Sequence, residues 1–241
     1  MRAVLLVLSV IGSSLVPAPS VAQDSDYSTK ETRVLMHAYA KCVVERQPRR
    51  ASEALLENVD NGTMLRRYSQ LIIGDCLVRQ TRDSAQMRFS GDLYRYALAD
   101  ALVNRELATS EIADLSNIPR LAQRDFGEPP SPIGTRGKKI SDRKYEAALE
   151  DHRENFAIAY IARFGECVVR LAPGEAKALL LTPPDSNAET AHLAALRPAL
   201  GTCLPEGQTL KFGRTTLRGT IAVNYYRLMK AAQEAAIGPA T

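Results

Sequence analysis

The chain has 241 residues with 31 basic and 27 acidic side chains, a net charge of +4, and 45% hydrophobic against 24% charged residues. So small a surplus excludes an electrostatic case for nucleic acid or an anionic membrane surface as partner, and the length suits one large or two small domains. Of the basic residues 23 are Arg and 8 are Lys, which together with heavy use of Ala and Leu fits a GC-rich bacterial genome.

Residues 1–22 read as a secretory signal peptide. Arg2 supplies the positive start, Val4 to Ile11 the apolar core, and Ser20-Val21-Ala22 the small-x-small site before Gln23. A spanning helix needs about 20 mostly apolar residues, whereas this stretch holds four Ser, one Gly and two Pro. The chain is therefore membrane-attached only if the signal stays uncleaved. Cleavage gives a periplasmic protein with a net charge of about +3.

The mature chain reads as all-α, two tandem helical units of about four helices each. The first unit, residues 23–125, opens with a Ser28-x-x-Glu31 capping box and a stripe of Val34, Leu35, Ala38, Tyr39, Cys42 and Val43. Pro48 sits where a second helix starts, the first-turn position that proline tolerates. A third helix follows the Asn61-Gly62 turn signal and carries Leu65, Tyr68, Ile72 and Cys76 on one face. Met87-Arg88-Phe89 leads into a fourth near Leu93.

Residues 126–140 are rich in Pro, Gly and charge and read as an exposed linker. The second unit, residues 141–241, begins with a long helix striped by Leu149, Phe156, Tyr160, Phe164, Cys167 and Leu171. Pro173 starts the next helix. A Ser186-x-x-Glu189 box starts a third, kinked at Pro198 and ending at Cys203. The last shows Leu217, Ile221, Tyr225, Leu228 and Ala232 on one face.

The two units match. At an offset of 125, Cys42-Val43-Val44 falls on Cys167-Val168-Val169, Pro48 on Pro173, Ala51 on Ala176 and Leu55-Leu56 on Leu180-Leu181. The second cysteine follows the first by 34 residues in one copy and 36 in the other. Met87-Arg88-Phe89 resembles Leu210-Lys211-Phe212. Matches in this common order indicate an internal duplication. Four cysteines in an exported chain favour disulfides, with three pairings open. Within each copy both cysteines lie on apolar stripes of the first and third helices, whose faces must meet in a core. The pairs expected are thus Cys42–Cys76 and Cys167–Cys203.

Sites for chemistry are not evident. His37, His152 and His192 share no ligand spacing, and no nucleophile elbow, phosphate loop or dinucleotide fingerprint occurs in the mature chain. The cysteines form no Cys-x-x-Cys. Glu53, Glu57, Glu146, Glu150, Asp151 and Glu154 read as solvated helix faces. No catalytic, metal-binding or cofactor-binding residue is assigned, and no cofactor is expected. The candidate interaction patch is basic: Arg46, Arg49 and Arg50 with Arg66 and Arg67, where the planar guanidinium suits an acidic partner. Copy 2 has Leu171, Gly174 and Glu175 in place of the first three.

The order Cys-Val-Val, Pro, Leu-Leu, Cys, then a Phe-led Leu-rich helix resembles that of uncharacterised exported helical proteins of alphaproteobacteria. This resemblance implies a disulfide-bonded periplasmic protein and carries no activity. A shorter likeness, Cys203-Leu204-Pro205-Glu206-Gly207 before the last helix, is to periplasmic immunity proteins that neutralise cell-wall amidase effectors. Copy 1 lacks that stretch. The reading expected is a non-catalytic periplasmic interaction or scaffold protein, its partner an envelope protein or cell-wall component and not nucleic acid. The alternative is a cell-envelope enzyme or an inhibitor of the immunity type.

Overall fold

A computed structural model describes residues 29–80, 92–124, 127–134, 137–206, 211 and 213–237. Residues 1–22, expected to be a signal, and Ser28, Met87-Arg88-Phe89, Leu210 and Phe212 lie outside them. The described fold is all-α, with no strand and a single isolated bridge, Ile133 to Lys139.

Helix α1 (Lys30–Arg46) starts at Thr29, whose hydroxyl accepts the Thr32 amide. It ends at Gln47, and Pro48 opens α2 (Pro48–Glu57) at once. The second half repeats this corner. Helix α6 (Asp142–Leu171) ends at Ala172, and Pro173 opens α7 (Pro173–Leu180). Both corner residues are bent alike, Gln47 at φ −133° and ψ 51°, Ala172 at φ −140° and ψ 60°. The third-helix regions are broken. Copy 1 has α3 (Asn61–Arg67), a 3-10 turn (Ser69–Leu71) and α4 (Gly74–Gln80). Copy 2 has α8 (Asn187–Ala195) and α9 (Arg197–Thr202), divided at Leu196, with Pro198, where the kink is expected, in the first turn of α9. Disulfides Cys42–Cys76 and Cys167–Cys203 tie these regions to α1 and α6, the chemistry of an oxidising compartment.

The centre belongs to α5 (Leu93–Leu102) and α10 (Arg214–Ile237). All ten residues of α5 are buried, as are the twelve from Arg218 to Met229 in α10. A helix without a solvent face is a core helix. Around them α1 and α2 pack on α5, α6 and α7 pack on α10, and one continuous apolar core runs through both halves. The two central helices cross where Gly219 meets Tyr96, and a Cβ at residue 219 would lie within 2.5 Å of Tyr96 Cγ, Cβ and Cδ2. Gly165 of α6 meets Thr220 and Asn224 of α10 just as closely.

Several stripes differ from those the sequence suggests. On α1 the buried face carries Arg33 and Met36 with Tyr39 and Val43, while Val34 is 45% exposed. In the third region Met64 and Leu71 are buried and Leu65 and Ile72 face solvent. Asn61-Gly62 is no turn; it forms the first turn of α3 under an Asp60 cap. Phe156 and Leu171, expected on the α6 stripe, are exposed. The last helix has polar neighbours buried beside its predicted face: Arg218, Thr220, Asn224 and Arg227.

Helix α5 runs into a π-helical turn (Val103–Leu107), after which the described residues of 108–141 contain no helix. The part at 108–124 is fastened down. Arg170 of α6 donates to the carbonyls of Leu115, Ile118 and Pro119, and Arg227 of α10 donates to that of Ala122 at 2.8 Å. Buried Glu166 accepts the Leu121 amide, Gln123 and Arg170, each at 3.0 Å. Burial pulls the Arg227 guanidinium down to about 10, with nearby Glu166 opposing the shift.

Two measurements check this packing. Non-reducing peptide mapping should return Cys42 linked to Cys76 and Cys167 linked to Cys203; a Cys76–Cys167 peptide would refute the arrangement. Closing loops of this size stabilises each half by about 3–4 kcal/mol on the chain-entropy argument. Gly219→Ala should cost at least about 1–3 kcal/mol in urea unfolding, since Tyr96 cannot withdraw within a packed core. Gly201→Ala, where nothing lies within 4 Å of the added carbon, should be neutral or stabilise by up to about 1 kcal/mol.

Candidate functional site

Burial of α5 and of residues 218–229 in α10 obliges their polar side chains to find partners inside. Arg95 and Arg218 solve this in parallel ways. Arg95 donates to the carbonyl of Ala54 at 3.5 Å and to that of Val59, beyond the end of α2. Arg218 donates to Leu179 at 3.1 Å, Leu180 at 3.0 Å and Thr182 at 2.8 Å, at the end of α7. Each guanidinium thus lies at the negative end of a helix and satisfies carbonyls left without amide partners.

Arg218 does more. It pairs with Asp100 of α5 at 3.0 and 3.2 Å and with Glu189 of α8 at 3.2 Å. Arg33 of α1 reaches the same place from the other half, bonding Glu189 at 2.8 and 3.0 Å and Asp185 at 2.7 Å. Glu189 has no exposed surface, and Arg33, Asp100 and Arg218 are nearly as buried. His37 closes the group, its Nδ1 2.8 Å from Asp100 Oδ2. Two cations and three carboxylates leave one net negative charge while His37 is neutral. The junction therefore binds α1 and α5 to α8 and α10, across the two halves.

Local structure sets each member. Asp185 adopts a left-handed conformation, φ 59°, at the turn before α8. Ser186 caps α8 by accepting the Glu189 amide at 3.0 Å. The Glu189 carboxylate reaches back to the Asp185 amide at 2.9 Å, one residue beyond the usual capping box. Asn104, in the π-helical turn, bonds the Asp100 and Leu180 carbonyls, both at 2.9 Å.

A cleft opens beside this cluster, lined by Arg33, His37, Tyr96, Asp100, Thr215 and Arg218. Its volume of about 40 Å³ holds two or three waters by the room each needs. Arg218 Nε and Asp185 Oδ2 are buried without hydrogen-bond partners. With carboxylate as acceptor, His37 carries its proton on Nδ1, and Nε2 is the nitrogen able to take another. A histidine–carboxylate pair of this kind also occurs in hydrolytic triads.

The predicted arginine patch behaves differently. Arg46 pairs with Asp75 at 3.3 Å, Arg50 with Glu53 at 3.3 Å and Arg67 with Glu57 at 2.6 Å, while Arg66 donates to Thr63. These four are engaged locally on α1, α2 and α3, and Arg49 is exposed. His192 pairs with Glu175 at 3.2 Å. Sequence reading missed Arg33, Asp100 and Arg218, and it took Glu189 for a cap alone. One signal was there. Arg95 and Arg218 each stand six residues after the matched Phe89 and Phe212, one position off the pairing of Leu93 with Leu217.

Glu189→Ala, which strands two buried arginines, should cost about 3–5 kcal/mol in chemical unfolding. Arg50→Ala removes an exposed pair and should stay within about 0.5–1 kcal/mol; equal costs for the two would refute the contrast. Compared with known proteins, the chain matches no protein-family model, no curated protein and no solved structure.

Proposed function

We propose that this is an exported, non-catalytic interaction or scaffold protein of the bacterial periplasm, built by duplication of one disulfide-clipped helical unit. The observation that carries this reading is the contrast between inside and outside. The junction charges are spent on one another and on helix ends, around room for a few waters, and they hold the halves in one relative position. Meanwhile equivalent outer corners have diverged. Copy 1 presents Arg46, Arg49 and Arg50; copy 2 presents Leu171 at 54% exposure beside Ile112 at 44%, whose side chain approaches Gly174. A rigid body with one basic and one apolar corner suits contact with an envelope protein or a cell-wall component.

A second reading, a cell-envelope enzyme or an inhibitor of one, draws on the His37–Asp100 pair. One experiment separates them. A photo-crosslinker at Leu171, in cells carrying the full-length gene, should capture the same envelope component reproducibly, and the exported chain should have the mass of one beginning at Gln23. No reproducible capture, together with cell-wall cleavage by the purified protein that His37→Ala abolishes, would overturn the scaffold reading in favour of the enzyme.

A further inference from the structure

Helix α6 is 30 residues long, yet none of its residues before Ala159 is buried. Residues 142–158 make about 25 Å of helix at 1.5 Å per residue. Among the described residues their side-chain bonds are local, Asp142 with Lys139 and Glu150 with Arg153. So long a helix with no buried residue would be marginal by itself. The sequence along it is not that of a solvated spacer. Tyr145, Leu149, His152 and Phe156 recur at steps of four, three and four, the heptad seam of a coiled coil. Phe156 is 60% exposed, and the other three are half-buried.

The flanking charges identify the occupant. With Leu149 and Phe156 at the a positions and Tyr145 and His152 at d, the e positions hold Glu146 and Arg153, and the g positions hold Ala148 and Asn155. A parallel pair sets g against e and gains no ion pair here. An antiparallel pair sets e against e, bringing Glu146 of each copy to Arg153 of the other, while Tyr145 layers on Phe156 and Leu149 on His152. The remaining charges of this stretch, Glu150, Asp151 and Glu154, fall at the b, c and f positions, on the side away from the partner.

We propose that two copies of this chain associate through this half of α6, antiparallel, by the Tyr145–Leu149–His152–Phe156 seam and reciprocal Glu146–Arg153 pairs. Two heptads a side make a weak, salt-sensitive dimer. This inference stands apart from the scaffold reading, because a dimeric enzyme would show it equally.

Sedimentation of the mature protein from micromolar to millimolar concentration tests it. Wild type should pass from monomer to dimer, and Phe156→Ser with Tyr145→Ser should raise the dimer Kd at least tenfold. Glu146→Arg alone and Arg153→Glu alone each place like charges opposite one another and should be monomeric, yet an equimolar mixture of the two should dimerise at least as tightly as wild type. Unchanged circular dichroism and Tm in the variants confirm folding. A wild type that stays monomeric at millimolar concentration, or a mixture that fails to recover dimer, overturns the proposal.

Discussion

The constraint behind this fold is that α5 and the middle of α10, residues 218–229, carry charged residues yet have no face toward water. Helices α5 and α10 bury Arg95, Asp100, Arg218, Thr220, Asn224 and Arg227 among their apolar residues. An unpartnered buried polar group costs about 1–3 kcal/mol, and a charge more, so the surrounding elements are arranged to answer them. The ends of α2 and α7 supply carbonyls, α1 and α8 supply Arg33 and Glu189, and the 108–124 segment meets Arg227 and Glu166. Even the non-helical segment follows from this, since its backbone lies where those side chains need partners.

Such a core is specified more than it is strengthened. A buried ionic cluster often stabilises no better than apolar residues of the same shape, because desolvation offsets the Coulomb attraction. Its effect is to make wrong arrangements expensive. Arg218 alone contacts α7, α8 and α5, so a rotation of one half against the other would strand several charges together. The satisfaction is incomplete at several buried atoms, Arg218 Nε, Asp185 Oδ2 and the Tyr225 hydroxyl among them. Tyr225 is fully buried with no partner for its hydroxyl, and burial accordingly raises its pKa. The phenol ring fills the core while its oxygen weakens it.

What could be read from the sequence was whatever depends on local chemistry. Pro48 and Pro173 mark helix starts because a missing amide matters only there. The cysteine pairing followed from two matched segments, each with its cysteines 34 or 36 residues apart on apolar helix stripes. What could not be read was which helix face would be buried when the neighbour is another helix with charges of its own. On α1 the choice went to Arg33 over Val34, because Glu189 and Asp185 wait on that side. Apolar periodicity assumes a purely apolar core, and it fails where a salt bridge crosses that core. Asn61-Gly62 failed for a related reason: Asp60 is the better cap, accepting the Thr63 amide at 2.9 Å.

The placement of the two disulfides has a topological result. Each closes a loop inside one half, and the chain passes between the halves only once, through residues 108–141. Covalent and non-covalent cohesion are therefore divided: the bridges keep each half together, whereas apolar packing and the ion pairs hold the halves to each other. A backbone break at the Pro- and Gly-rich stretch around residues 127–140 frees neither α5 nor α10 from the core. The protein is in this sense a complex of two subunits that share one polypeptide.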